Sequence, residues 1–123
     1  MNRNFFRFRN VVAAVLVAGA LATLAFAHNK LMKSVPAAGA SLKTSPAHVE
    51  MWFDEKPDPA VTKIAVKGPA GAVGIGSPHA GSDKSIVADF KGTLPAGQYS
   101  VSWQTAGDDG HMSKGDFSFS VAH

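Results

Sequence analysis

The sequence predicts an all-β fold, a Greek-key β-sandwich of about seven strands, and three observations predict it. Beyond residue 28 the apolar residues recur with period two, the mark of strands with one buried face. No stretch of eleven residues there keeps a helical apolar period, and proline and glycine recur at short intervals, which breaks long helices and marks turns. The alternating runs are short and separated by turn signals, the spacing of an antiparallel sandwich.

Each strand is justified in turn. A first strand is expected over residues 30–35. Val49, Met51 and Phe53 alternate with Glu50, Trp52 and Asp54. Ile64 and Val66 alternate with Lys63, Ala65 and Lys67, and a short strand is expected near residues 72–75. Ile86, Ala88 and Phe90 form another set. The two clearest strands set Tyr99, Val101 and Trp103 against Gln98, Ser100, Ser102 and Gln104, and Phe117, Phe119 and Val121 against Ser118 and Ser120. Their apolar members are core residues by period. The glycine-rich segment 68–84 fits neither a Walker loop nor a Rossmann turn, because it lacks Gly-Lys-Ser/Thr and a following helix. It reads as irregular structure.

Charge divides the 123-residue chain in two. The three arginines all lie in the first nine residues, whereas beyond residue 27 nine lysines face nine carboxylates. That neutral, arginine-free body lacks the basic footprint of a nucleic-acid binder, and no nucleic-acid partner is expected. Cysteine is absent, which excludes disulfides, thiolate metal sites and cysteine nucleophiles together.

Residues 1–27 read as a secretory signal peptide: a cationic start, an apolar run over 11–27, and the ending Ala25-Phe26-Ala27. Cleavage after Ala27 is expected, leaving residues 28–123 as one domain in a bacterial periplasm. The run is shorter and richer in alanine than a membrane span of about 20 strongly apolar residues.

Two places in the mature chain carry metal-binding chemistry. With the signal removed, His28 offers an α-amine and an imidazole, two nitrogen donors that close a chelate ring. An unperturbed amine pKa near 8 lets a metal displace its proton at neutral pH. The plain alternative is a processing site that happens to leave histidine there. The second place is Gly107-Asp108-Asp109-Gly110-His111. In an extended segment Asp109 and His111 point the same way, a carboxylate and an imidazole forming half a metal site. Its alternative is an ordinary hairpin connection, since Asp-Gly is a strong turn signal. The nine residues of 107–115 exceed what a tight turn needs. Three nitrogens and one oxygen, without sulfur, suit a tetragonal Cu(II) centre best, with zinc chemically possible.

These residues carry a family resemblance. The chain from His28 onward resembles the CopC family of periplasmic copper-resistance proteins. The matching pieces are the post-signal histidine with Ser34-Val35-Pro36-Ala37-Ala38-Gly39, the run Val49-Glu50-Met51-Trp52-Phe53-Asp54-Glu55, and Gly97-Gln98-Tyr99-Ser100-Val101-Ser102-Trp103. Asp109-Gly110-His111 and Gly115-Asp116-Phe117-Ser118-Phe119-Ser120-Val121 complete the match. The resemblance implies an immunoglobulin-like sandwich that binds one Cu(II) per chain through His28, Asp109 and His111. It implies Glu55 as a neighbour that hydrogen-bonds a ligand or the amine, the plain alternative being a surface carboxylate at a strand end, and a membrane copper transporter of the CopD type as partner. Some members carry a second, Cu(I) site in a methionine-rich loop. Here no methionine lies between Met51 and Met112, and only His79 sits in the corresponding segment, so a single Cu(II) site is expected.

The expected function is a non-catalytic carrier or buffer. The rival is a copper enzyme of the histidine-brace kind, like the polysaccharide monooxygenases. The mature chain leaves that rival little room for a flat substrate surface, and Asp109 would fill a position that oxygen chemistry needs open. His48 and His123 are unassigned.

Overall fold

The computed structural model describes residues 29–122, so the signal segment 1–27, His28 and His123 lie outside the described residues. Among the described residues, nine strands form two sheets. In chain order they are β1 Leu31–Val35, β2 Ser41–Leu42, β3 His48–Phe53, β4 Lys63–Gly68, β5 Gly71–Ala72, β6 His79–Ala80, β7 Ser85–Asp89, β8 Gly97–Ala106 and β9 Met112–Val121. One 3-10 turn, Pro59–Val61, interrupts the connection from β3 to β4. The seven expected strands are present, and the two additions, β2 and β6, are two residues long. The glycine-rich segment 68–84 is irregular apart from β5, β6 and a bridge between Ile75 and Phe90.

One sheet runs β1-β3-β7-β6 and the other β2-β9-β8-β4-β5. Strands β3, β4, β7 and β8 alternate between the sheets. The pairs β3·β7 and β4·β8 are therefore neighbours in space but not in sequence. That interlocking is the immunoglobulin arrangement, with strands ABED facing CFG. Strand β2 joins β9 in parallel, Ser41 opposite Ser120, and ties the N-terminal stretch to the second sheet.

The core follows from the alternation. In β3 the burial pattern puts Val49, Met51 and Phe53 inside, and Trp52 faces out with the Lys33 ammonium 4.6 Å from its ring centre. Ile86 and Ala88 join them from β7, and Val66, Tyr99, Val101, Trp103, Phe117, Phe119 and Val121 come from the facing sheet. Tyr99 and Phe119, paired across β8 and β9, stack at 5.4 Å, and Phe53 meets Trp103 edge-on at 5.1 Å across the sandwich. Such ring pairs add specificity to the area they bury.

The buried Tyr99 hydroxyl donates to the Pro95 carbonyl at 2.6 Å. This is a tyrosine corner, which locks the entry to β8. Tyr99→Phe keeps the stacked ring and removes the donor, so it is expected to cost about 1–2 kcal/mol. Urea unfolding should show a lower midpoint at unchanged slope.

Candidate metal centre

Strands β8 and β9 pair over ten positions, from Gly97 opposite Val121 to Ala106 opposite Met112. The connection between them is therefore residues 107–111, and the sequence-based span of 107–115 is corrected. Residues 112–115 belong to β9 although neither of their faces is apolar. The turn closes by the Gly110 N–H donating to the Gly107 carbonyl at 3.0 Å, with Gly110 at φ +76°. That left-handed conformation favours glycine.

Asp109 and His111 do meet, by a different route from the expected one. They sit in a turn and not in an extended segment. The Asp109 carboxylate folds back over the chain, accepting the His111 backbone N–H on Oδ1 at 3.0 Å while Oδ2 lies 3.2 Å from His111 Nδ1. This is the local side-chain-to-backbone bonding that Asp makes in turns. The His111 side chain is 67% exposed and that of Asp109 31%, so the pair is open to solvent at one end of the sandwich. Two donors 3.2 Å apart are close to the spacing of neighbouring ligands on one ion, about 2.8 Å for bonds near 2.0 Å at a right angle. Among the described residues no three histidine or carboxylate side chains gather into a metal cage. The pair offers two donor atoms, and the other expected donor, His28, lies outside the described residues.

Three segments converge beside this turn. Asn29 is 1% exposed, with φ +49°. Its Oδ1 accepts the Glu55 N–H at 3.2 Å, and its carbonyl accepts the Ser113 hydroxyl at 3.1 Å, two residues beyond His111. Lys30 follows: its N–H donates to Asp54 Oδ1 at 2.8 Å, and its carbonyl accepts the Asp54 N–H at 3.1 Å. Asp58 N–H in turn donates to the Ala106 carbonyl at 3.0 Å, at the end of β8. The start of the domain, the exit of β3 and the β8–β9 turn thus form one hydrogen-bonded unit.

Glu55 belongs to that unit. Its buried Oε2 and the buried Nδ2 of Asn29 have no hydrogen-bond partner among the described residues. Both crowd the same point, the face of Gly107: a side chain there would collide with Glu55 Oε2 and come within 3.4 Å of Asn29 Nδ2. Buried polar atoms are nearly always partnered, and Glu55 Oε2 and Asn29 Nδ2 stand out by that measure.

Among the described residues, His48 and His79 do not join this end. His48, on β3, lies 3.8 Å from Glu50, whose other oxygen accepts the Ser85 hydroxyl at 2.7 Å. His79 is exposed on edge strand β6. Sequence reasoning missed Asn29, Gly107 and Ser113. The one available signal was an asparagine next to His28, since Asn tolerates the left-handed conformation better than most residues.

The fold is an immunoglobulin-like sandwich with an exposed carboxylate–imidazole pair, Asp109 and His111, in the β8–β9 turn. The chain belongs to the CopC domain family, whose model matches residues 31–122. It is 32% identical over 126 residues to copper resistance protein C of Xanthomonas campestris pv. juglandis, covering 94% of this chain and 98% of that one. Among solved structures it is similar to PcoC, a methionine-rich copper resistance protein from Escherichia coli, at 28% identity and a TM-score of 0.71, covering 78% of this chain and all of that one. CopC from Methylosinus trichosporium OB3b gives 27% identity and a TM-score of 0.69, over 76% and 93% of the two chains.

Replacing Asp109 or His111 by alanine removes a solvent-facing group from a turn. The expected change in unfolding free energy is within about 0.5 kcal/mol for His111 and about 1 kcal/mol for Asp109, whose carboxylate also accepts the His111 backbone N–H. A loss on the scale of a core truncation, about 2–5 kcal/mol, would make the pair structural.

Proposed function

We propose that this is a periplasmic Cu(II)-binding protein of copper resistance, exported by residues 1–27 and cleaved after Ala27. The mature chain holds one Cu(II) as cargo through the α-amine and imidazole of His28, Asp109 and His111. The observation that carries the reading is the burial of Asn29 against the turn that bears Asp109 and His111. The peptide bond puts the α-carbon of residue 28 about 3.8 Å from that of Asn29, so a histidine there starts within reach of the half-site.

The chemistry of the donors supports copper. The set is three nitrogens and a carboxylate oxygen without sulfur, and for such a set the Irving–Williams order favours Cu(II) over zinc. Glu55 Oε2, buried and without a partner among the described residues, is an acceptor suited to the α-amine N–H or to a bound imidazole. Asp109 is suited either to ligate or to hold the His111 ring, as carboxylates beside metal-bound histidines do. The copper-resistance names of the relatives favour a binding protein over the histidine-brace enzyme. A CopD-type membrane transporter is the proposed recipient.

Cu(I) is a poorer fit. Thioether sulfur suits the reduced ion, and this chain has no methionine between Met51 and Met112. Met32 and Met112 are exposed, yet they lie on separate strands and in no methionine-rich loop.

The test is a Cu(II) titration of two chains, one starting at His28 and one carrying an added glycine before it. The extension keeps every side chain and converts the amine into a peptide nitrogen. The first chain should bind one Cu(II) with a nitrogen-rich tetragonal paramagnetic resonance spectrum, and the second should bind orders of magnitude more weakly. Affinity should also fall at low pH, as amine and imidazoles take protons. Equal affinities would remove the amine from the site and with it the reading. Competition with a Cu(I) chelator should leave the reduced ion on the chelator, and sulfur coordination seen by X-ray absorption would contradict the single-site proposal.

A further inference from the structure

We infer that Asn29 is a positioning residue, a clamp that turns the chain and presents the residue before it to the Asp109–His111 turn. This rests on the copper reading and names the part of the molecule that makes its N-terminal donor precise. Three features of Asn29 bear on it. Its φ of +49° lies in the left-handed region, which costs most side chains about 1–2 kcal/mol and costs asparagine less. It is fully buried although its side chain is polar. It also bonds to two segments far away in sequence, Glu55 through Oδ1 and Ser113 through its carbonyl.

A structural asparagine usually has its polar atoms satisfied within the domain. Asn29 does not: Nδ2 is buried without a partner among the described residues, as is the neighbouring Glu55 Oε2. A donor and an acceptor are thus left over at one spot, against the bare face of Gly107. That spot adjoins the peptide leading to residue 28. A terminal residue has little to restrain it, and ordering it on binding costs backbone entropy of about 1–2 kcal/mol. Fixing the Asn29 backbone in the copper-free protein removes part of that cost in advance, which raises affinity without adding a ligand.

The closing experiment is a double-mutant cycle read by Cu(II) affinity. Asn29→Ala is made in the chain starting at His28 and again in the chain with glycine added before it. Clamping through the terminal residue predicts about a tenfold loss in the first background, the worth of one good hydrogen bond, and less than twofold in the second, where the amine is no longer engaged. Ser113→Ala, which removes only the hydroxyl bonded to the Asn29 carbonyl, should repeat the pattern at about threefold and guards against an Asn29 variant that folds poorly. At saturating copper the paramagnetic resonance spectra of both variants should match the parent's. Equal losses in both backgrounds, or no loss in either, would overturn the inference. A parent chain indifferent to the added glycine would overturn the copper reading, and the clamp with it.

Discussion

The ladder between β8 and β9 is the constraint on which the rest depends. Its ten pairs set Tyr99 beside Phe119 and Val101 beside Phe117 in the core, and the same register fixes which five residues are left to make the turn. A slip of one residue would turn Gln98, Ser100, Ser102 and Gln104 inward and push three core side chains into water. The domain has no disulfide to hold that register. Burial, the stacked Tyr99–Phe119 pair and the Tyr99 corner hold it instead. Core packing at one end of the hairpin therefore decides where Asp109 and His111 stand at the other.

At that other end the apolar core gives way to a polar junction. The start of the domain, residues 54–62 and the turn are joined by backbone and side-chain bonds, including the buried Thr62–Thr105 hydroxyl pair at 2.7 Å. Each such bond contributes only about 1 kcal/mol net. Their effect lies in number and direction: they tie three stretches of chain to one another at a place where hydrophobic contact is scarce. The atoms they leave unsatisfied, Asn29 Nδ2 and Glu55 Oε2, lie together at this junction. Trp103 Nε1 is the third buried polar side-chain atom without a partner among the described residues, and its indole packs beneath Gly115 on the same hairpin.

What the sequence disclosed follows from period. Strands with one dry face, such as Val49-Met51-Phe53, announce themselves. β2 and β6 could not, because two residues carry no period. The start of β9 hid for a different reason: Met112, Lys114 and Asp116 are exposed, and Ser113 and Gly115 show no apolar side chain to the interior. Those residues read as loop, and the turn therefore looked longer than it is. The half-site was legible as chemistry, a carboxylate two residues from an imidazole. Its geometry was not, because a turn and a strand bring i and i+2 together by unrelated routes. Asn29 was invisible because its roles are set by partners 26 and 84 residues away, and no local pattern encodes those contacts.

On the proposed reading, one ion joins the first residue of the mature chain to its last hairpin. In the unfolded chain these groups are far apart and no preformed site exists, so copper binds the folded state and stabilises it by mass action. The Asn29–Ser113 bond makes the same closure before copper arrives. The domain thus carries part of the entropy of bringing these two distant segments together as part of folding. A free α-amine would suit such a site because it needs no side-chain rotamer of its own. Export and binding are then linked by covalent chemistry. While the signal segment is attached, that nitrogen is a peptide amide and a poor donor at neutral pH. On that reading the precursor would have the fold's sequence but lack the chelate, and copper capture would begin only after processing.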